Sequence, residues 1–316
     1  MSRPFRRDLL SAGRARNHAW AYRTESLITA LLILLAAFSI FTTFAIIAVL
    51  LAETYRFFLM PDVTVGEFFF SGKWSPLLGG EKHFGIWPLM CGTFLVTAVS
   101  AVLALPVGLV TAVYLSEYAP AKLRAVLKPV LEILAGIPTV VYGFFALTVI
   151  TPALKGLLGD QSVEGYNALS AGLAVGIMTL PIVCSLSEDA LQAVPRALRE
   201  GAFATGATKF DVSVKVVIPA ALSGIIASYL LAIARAVGET MIVALAAGGL
   251  AQLTANPLNQ VQTMTGWMVQ IFLGDAPADG VEYTSCYAVG AVLFVLTFAI
   301  TVIGNRVLAR FREEYD

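Results

Sequence analysis

The chain has 316 residues, of which 58% are apolar and 13% charged, with a formal net charge of zero. Soluble domains carry about a quarter charged residues, so this composition excludes an ordinary soluble fold and points to membrane spans, with no sign of a nucleic-acid partner. The three cysteines, Cys91, Cys184 and Cys286, are far apart and form no C-x-x-C pair, so they support neither a zinc site nor a disulfide framework.

Residues 1–26 form a polar, Arg-rich tail. The apolar run that follows, 27–52, is too long for the core of a cleavable signal and reads as a retained first transmembrane helix. Five further runs, at 87–115, 130–151, 168–187, 220–250 and 286–308, give six predicted spans. Each crosses ~30 Å of hydrocarbon at ~1.5 Å per residue. The predicted fold is therefore an all-α, polytopic membrane protein. Sixteen Lys and Arg residues fall in the N-terminal tail, the connections after spans two and four, and the C-terminal tail 309–316 with the end of span six. The opposite side holds four, Arg56, Lys73, Lys82 and Lys155. The positive-inside rule then places both termini in the cytoplasm.

Within the spans, Pro106, Pro138 and Pro181 are expected to kink helices, and Gly172 and Gly176 form a G-x-x-x-G pair suited to close helix contact. Glu132 is expected to pair with nearby Lys128 at the start of span three. His18 and His83 suggest no metal site. The outer connections are an aromatic, Gly-rich stretch at 53–86, with a turn at Gly79-Gly80, and an acidic one at 251–285 with Asp275, Asp279 and Glu282. The stretch Gln260–Phe272 reads as a short interfacial helix, and both connections suit docking surfaces or lids.

The connection 188–219 is too long for a simple link. A helix over 197–204, a left-handed turn residue at Gly206 and a second helix ending at Ile218-Pro219 are predicted. Phe210, Val214, Val217 and Ile218 share one face of the second helix. A helix pair of this kind suits insertion into a groove on a partner protein. The next span carries Arg235 and Glu239 inside an apolar run, at a spacing that places both on one helix face and lets them pair.

The segment Glu200-Gly201-Ala202, Gly206, and Val216 to Pro219 resembles the EAA coupling motif of ABC-importer permeases, departing from it at Gly201, Val216 and Ile218. The resemblance covers about 85–308. Within it, Gly85–Leu89, Tyr114–Pro120, Leu131–Phe144 and Arg235–Met241 are similar to the phosphate-specific branch, and Gly238-Glu239-Thr240-Met241 to its PstC-type subunits. This implies domains at 1–26 (tail), 27–84 (first helix and external loop), 85–308 (five-helix permease core) and 309–316 (tail). It also implies a bacterial inner-membrane complex with a PstA-type permease, PstB-type ATPases and a PstS-type phosphate-binding protein. Glu200, Gly201, Ala202, Gly206 and Pro219 would couple to the ATPase. Arg235, Glu239 and Thr240 would line the substrate path, with Glu239 holding Arg235. The chain has no G-x-x-x-x-G-K-[ST] loop, so ATP and magnesium are expected on the partner ATPase and no cofactor on this chain. A molybdate or sulfate permease and an ion-coupled secondary transporter are the alternatives. The second would leave the broken loop without a role, and no convincing repeat supports it.

Overall fold

The computed structural model describes residues 4–77, 81–274, 277 and 279–311, with the backbone alone at 4–24 and 310–311. The Gly79-Gly80 turn, Asp275 and the side chains of His18 and of the arginines in the two tails, apart from Arg306, lie outside what is described. Every regular element among the described residues is helical, and the one β-type pairing is an isolated bridge between Trp74 and Phe84. Five helical stretches are long and apolar enough to span a membrane, and a sixth is a pair, Lys209–Ala220 and Leu222–Val237, bent by 69°.

The chain divides into two compact units, Met1–Ala52 and Glu53–Asp316. The first is occupied by helix α1 (Pro4–Phe58), whose side chains over 25–52 are nearly all exposed, including Leu34, Phe38, Phe41 and Ile46. Such a surface is stable only against lipid or another apolar partner.

In the second unit, α2 (Val65–Phe70) and α3 (Trp87–Val113) come first, and α3 ends in a π turn at Tyr114–Tyr118. The amphipathic α4 (Ala121–Gly136) follows and buries no residue fully. The predicted third span, 130–151, is corrected here. The helix stops at Gly136 because Ile137 precedes a proline and is extended. The span instead comprises α5 (Thr139–Phe145), a π turn at Ala146–Ile150 and α6 (Thr151–Leu158). Tyr142 donates its hydroxyl to the Leu134 carbonyl across the break, 2.8 Å away. Pro106 and Pro181, in contrast, sit inside continuous helices.

Helix α7 (Ala168–Ala193) is capped by Asn167, whose side chain accepts from the Ser170 amide at 2.7 Å. It runs past the predicted end at 187, because the buried face Cys184, Glu188, Leu191 continues the helical period. It packs along α3, and the G-x-x-x-G pair lies at this contact. A Cβ on Gly172 would stand 2.6 Å from Val99 Cβ, and one on Gly176 2.9 Å from Leu103 Cδ2. Gly172→Leu is therefore expected to destabilise the permease by at least ~1–3 kcal/mol, seen as a melting point lowered by roughly 2–10 °C in detergent. An unchanged melting point would show that the helices can part without cost.

After α7 come α8 (Arg196–Ala204), α9 (Lys209–Val212), a π turn at Ser213–Val217 and α10 (Ile218–Ala220). The predicted fifth span is then broken in two, α11 (Leu222–Val237) and α12 (Met241–Ala246). Helices α13 (Met264–Phe272) and α14 (Val281–Phe311) complete the chain. Helix α13 does not lie free at an interface as expected. Its Met264, Trp267 and Ile271 are buried in a first core with Phe57, Phe68 and Phe84. A middle core is built on Ala171, Val175, Ile242 and Val261. A third, at the Lys/Arg-rich end, joins Leu115, Leu191, Val212, Val217 and Ile225. Cys184 and Cys286 are buried free thiols, and Cys91 is half-buried.

Candidate functional site

The segment 188–219 forms the predicted helix pair. Helix α8 ends in a turn in which the Gly206 amide donates to Phe203 O (3.0 Å) and the Ala207 amide to Ala202 O (3.3 Å). Gly206 has φ 84°, the left-handed conformation that closes a helix and favours glycine. Thr208 then caps α9, its side chain accepting from the Asp211 amide at 3.2 Å. Glu200 and Gly201 are exposed on α8, and Ala202 is half-buried against the third core. The space around Gly201 is open, so the alanine of the family pattern would fit there.

The predicted apolar face of the second helix divides. Val217 is buried and Ile218 packs on the core, together with Val212, whereas Phe210 and Val214 are exposed. The π turn inserts one extra residue per turn and rotates the face, so Phe210 and Val214 stay available to a partner. Pro219 stands exposed in the short α10 before the bend. The bend feeds directly into α11, which is fixed to α7 by a buried hydroxyl pair, Ser187 and Ser228, 2.8 Å apart.

The second group of residues lies at the far end of α11. Arg235 is in its last turn, and Glu239 follows the helix end, where the Gly238 amide donates to Ala234 O at 3.2 Å. The expected ion pair is not formed. Glu239 is buried, and its Oε1 accepts from the amides of Met241 (3.1 Å) and Ile242 (3.3 Å), so the carboxylate caps α12. Its carbonyl accepts from Thr265 Oγ1 at 2.6 Å. Thr240 is half-buried, and its hydroxyl donates back to Gly238 O at 3.2 Å. Helix geometry carried from Arg235 to Glu239 predicts a pair, but the chain leaves the helix between them, so the two side chains serve different elements.

Arg235 is exposed, with Nη2 4.0 Å from Met178 Sδ of α7. One turn toward the Lys/Arg-rich end, Leu231 and Ile182 line an apolar cavity of about 350 Å³ together with Leu131, Glu132 and Lys128. Glu132 does not pair with Lys128. That ammonium stands 3.2 Å from Asp189 and 3.5 Å from Glu188. Burial works against the Lys128 charge, but its bonds to Asp189 and Glu188 carry its pKa above the ordinary lysine value.

Sequence reasoning missed Glu188, which is 1% exposed and is met by Arg124, Lys128 and Gln192. Its signal was present in its spacing, since Glu188 shares the helix face of Cys184 and Leu191. It missed Arg199 and Glu117 as well, 3.2 Å apart. Among the described residues no cluster of His, Cys, Asp or Glu could hold a metal ion.

Residues 104–313 match the family model described as binding-protein-dependent transport system inner membrane component. The chain is 34% identical over 281 residues to the probable ABC transporter permease protein YqgH of Bacillus subtilis, covering 89% of this chain and 88% of that one. It is 32% identical to the phosphate transport system permease protein PstC of Mesorhizobium japonicum over 77% of this chain and 78% of that protein. With the probable PstC of Methanocaldococcus jannaschii it shares 30% identity over 87% and 92% of the two chains. Among solved structures, a bacterial ABC transporter involved in the import of the acidic polysaccharide alginate matches 94% of this chain and all of that one. Its TM-score is 0.65 at 14% identity, a likeness of fold alone. The chain belongs to the binding-protein-dependent transport system inner membrane component family, and is a non-enzymatic permease subunit of an ABC importer.

Proposed function

We propose that the chain is the PstC-type half of an ATP-driven phosphate importer of the bacterial inner membrane. Its partners would be a PstA-type permease, PstB-type ATPases carrying ATP and magnesium, and a PstS-type binding protein, with both termini cytoplasmic. The relatives named PstC support this choice of anion.

The observation that carries the reading is the exposed charge of Arg235, which forms no ion pair among the described residues and stands next to a break in a membrane span. A guanidinium facing lipid is costly, so this face of α11 belongs against a water-filled path or the second permease. There the planar fork offers several donors to the oxygens of a tetrahedral anion. The half-buried Thr240 hydroxyl lies beside the same break. Glu239 acts on the path indirectly, by fixing the start of α12, and not by holding Arg235. Glu200, Gly201, Ala202, Gly206 and Pro219 form the surface and hinge that receive the ATPase, with Phe210 and Val214 as added apolar contacts.

The test is uptake by proteoliposomes containing the complete complex and its binding protein. ATP-dependent phosphate uptake that persists under excess sulfate or molybdate is expected. Suppression of uptake by either competitor, with transport of that competitor, would reassign the anion.

A further inference from the structure

At the Lys/Arg-rich end, α3 and α7 each leave carbonyls that helix geometry does not satisfy. Two arginines from other helices close these ends. Arg199 of α8 donates from Nη1 to Val194 O and from Nη2 to Leu191 O, both at 2.7 Å, at the end of α7. The same Nη2 is 3.2 Å from Oε1 of Glu117, in the π turn that ends α3. Arg124 of α4 does the converse. Its Nε donates to Leu115 O at 2.8 Å and its Nη2 to Leu115 O and to Ser116 O (2.8 Å), at the end of α3. Its Nε is also 3.5 Å from Oε1 of Glu188 on α7.

Each arginine thus caps one helix of the pair and meets a carboxylate of the other. Four helices, α3, α4, α7 and α8, converge on this crossed clamp. Buried ion pairs add little net stability over apolar packing, so stability alone does not account for two carboxylates with 1% and 11% side-chain exposure. The clamp does fix orientation. A forked, charge-assisted donor holds two acceptors at set angles, which lysine does not do. Apart from the clamp, α8 is tied to α7 by the Val194-Pro195 link and rests on the third core through Ala202.

We propose that Arg199 and Arg124, with Glu117 and Glu188, are positioning residues for energy coupling. They convert a displacement of α8 into a joint tilt of α3 and α7, the latter carrying Met178 beside Arg235. The inference rests on the reading of α8 as the helix that meets the ATPase.

The experiment uses the complete complex in proteoliposomes and reads phosphate taken up per ATP hydrolysed, complex yield, and cross-linking of the ATPase to a cysteine at Glu200→Cys. Arg199→Lys keeps the charge and loses the fork. Glu117→Gln leaves both arginines on their carbonyls. Each is expected to assemble, to cross-link as the parent does, and to lower the uptake-to-hydrolysis ratio about tenfold, the scale of one charge-assisted hydrogen bond. If Arg199→Lys fails to assemble, Glu117→Gln carries the same test. A parental ratio in assembled Glu117→Gln, or uptake that falls only in step with yield, overturns the clamp. Absence of the cross-link in the otherwise parental complex overturns the ATPase-facing reading of α8, and the clamp with it.

Discussion

Arg235→Gln should lower the initial rate of phosphate uptake by about ten- to a hundredfold at matched amounts of complex. A hydrogen bond to a charged group is worth ~1.5–3 kcal/mol, and ~1.4 kcal/mol is a factor of ten. The structure bears on how cleanly this reads. Arg235 is exposed and forms no ion pair among the described residues, and its Nη2 stands 4.0 Å from the Met178 sulfur. Its removal orphans no buried carboxylate, because Glu239 is already held by the amides of Met241 and Ile242. Complex yield and ATPase binding should therefore be unchanged, and the loss should appear in transport alone. Arg235→Lys, which keeps the charge without the fork, should fall between the two. Full uptake by Arg235→Gln would remove the residue from the substrate path.

Gly206→Val should uncouple hydrolysis from transport. No atom lies within 4 Å of a Cβ placed at Gly206, so the substitution creates no clash. The cost lies in the backbone, whose φ of 84° is unfavourable for a residue with a Cβ by ~1–2 kcal/mol, and most so for a β-branched one. Relaxing that angle changes the direction of α9 relative to α8, while α7 and α11 remain joined by Ser187 and Ser228. Insertion and ATPase association should persist, with phosphate carried per ATP reduced roughly five- to thirtyfold. Gly206→Asn, which tolerates the left-handed region, should retain most of the coupling. A parental ratio in Gly206→Val would show that the turn transmits nothing.

Much of the helix pair in 188–219 was legible because its signals are local. Helix-favouring residues, a glycine at a helix end and a proline at a helix start each act within one turn. The charged site was legible as residues and not as geometry. Arg235 and Glu239 stand four apart, and a continuous helix would have joined them. Packing of α12 against α5 and α7, with Thr265 on the Glu239 carbonyl, stabilises an ending at Gly238 instead. The third span moved for a related reason. Residues 130–151 are apolar enough to cross, but Pro138 excludes a helical Ile137, and the Leu134 carbonyl at the helix end accepts from the Ile137 amide and the Tyr142 hydroxyl.

Composition and apolar periodicity alone determined the all-α membrane architecture, because hydrocarbon leaves the backbone no other way to satisfy its polar groups than within each helix. They determined as well that two charges lie deep in the fifth apolar run and that a glycine-broken helix pair precedes it. Tertiary structure decided which charges meet. Glu239 caps a helix, Glu188 and Glu117 take arginines from α4 and α8, and Arg235 forms no ion pair among the described residues. Those choices depend on contacts between residues far apart in the chain, where a few tenths of an ångström set whether a buried group is satisfied, and spacing along one helix carries no record of them.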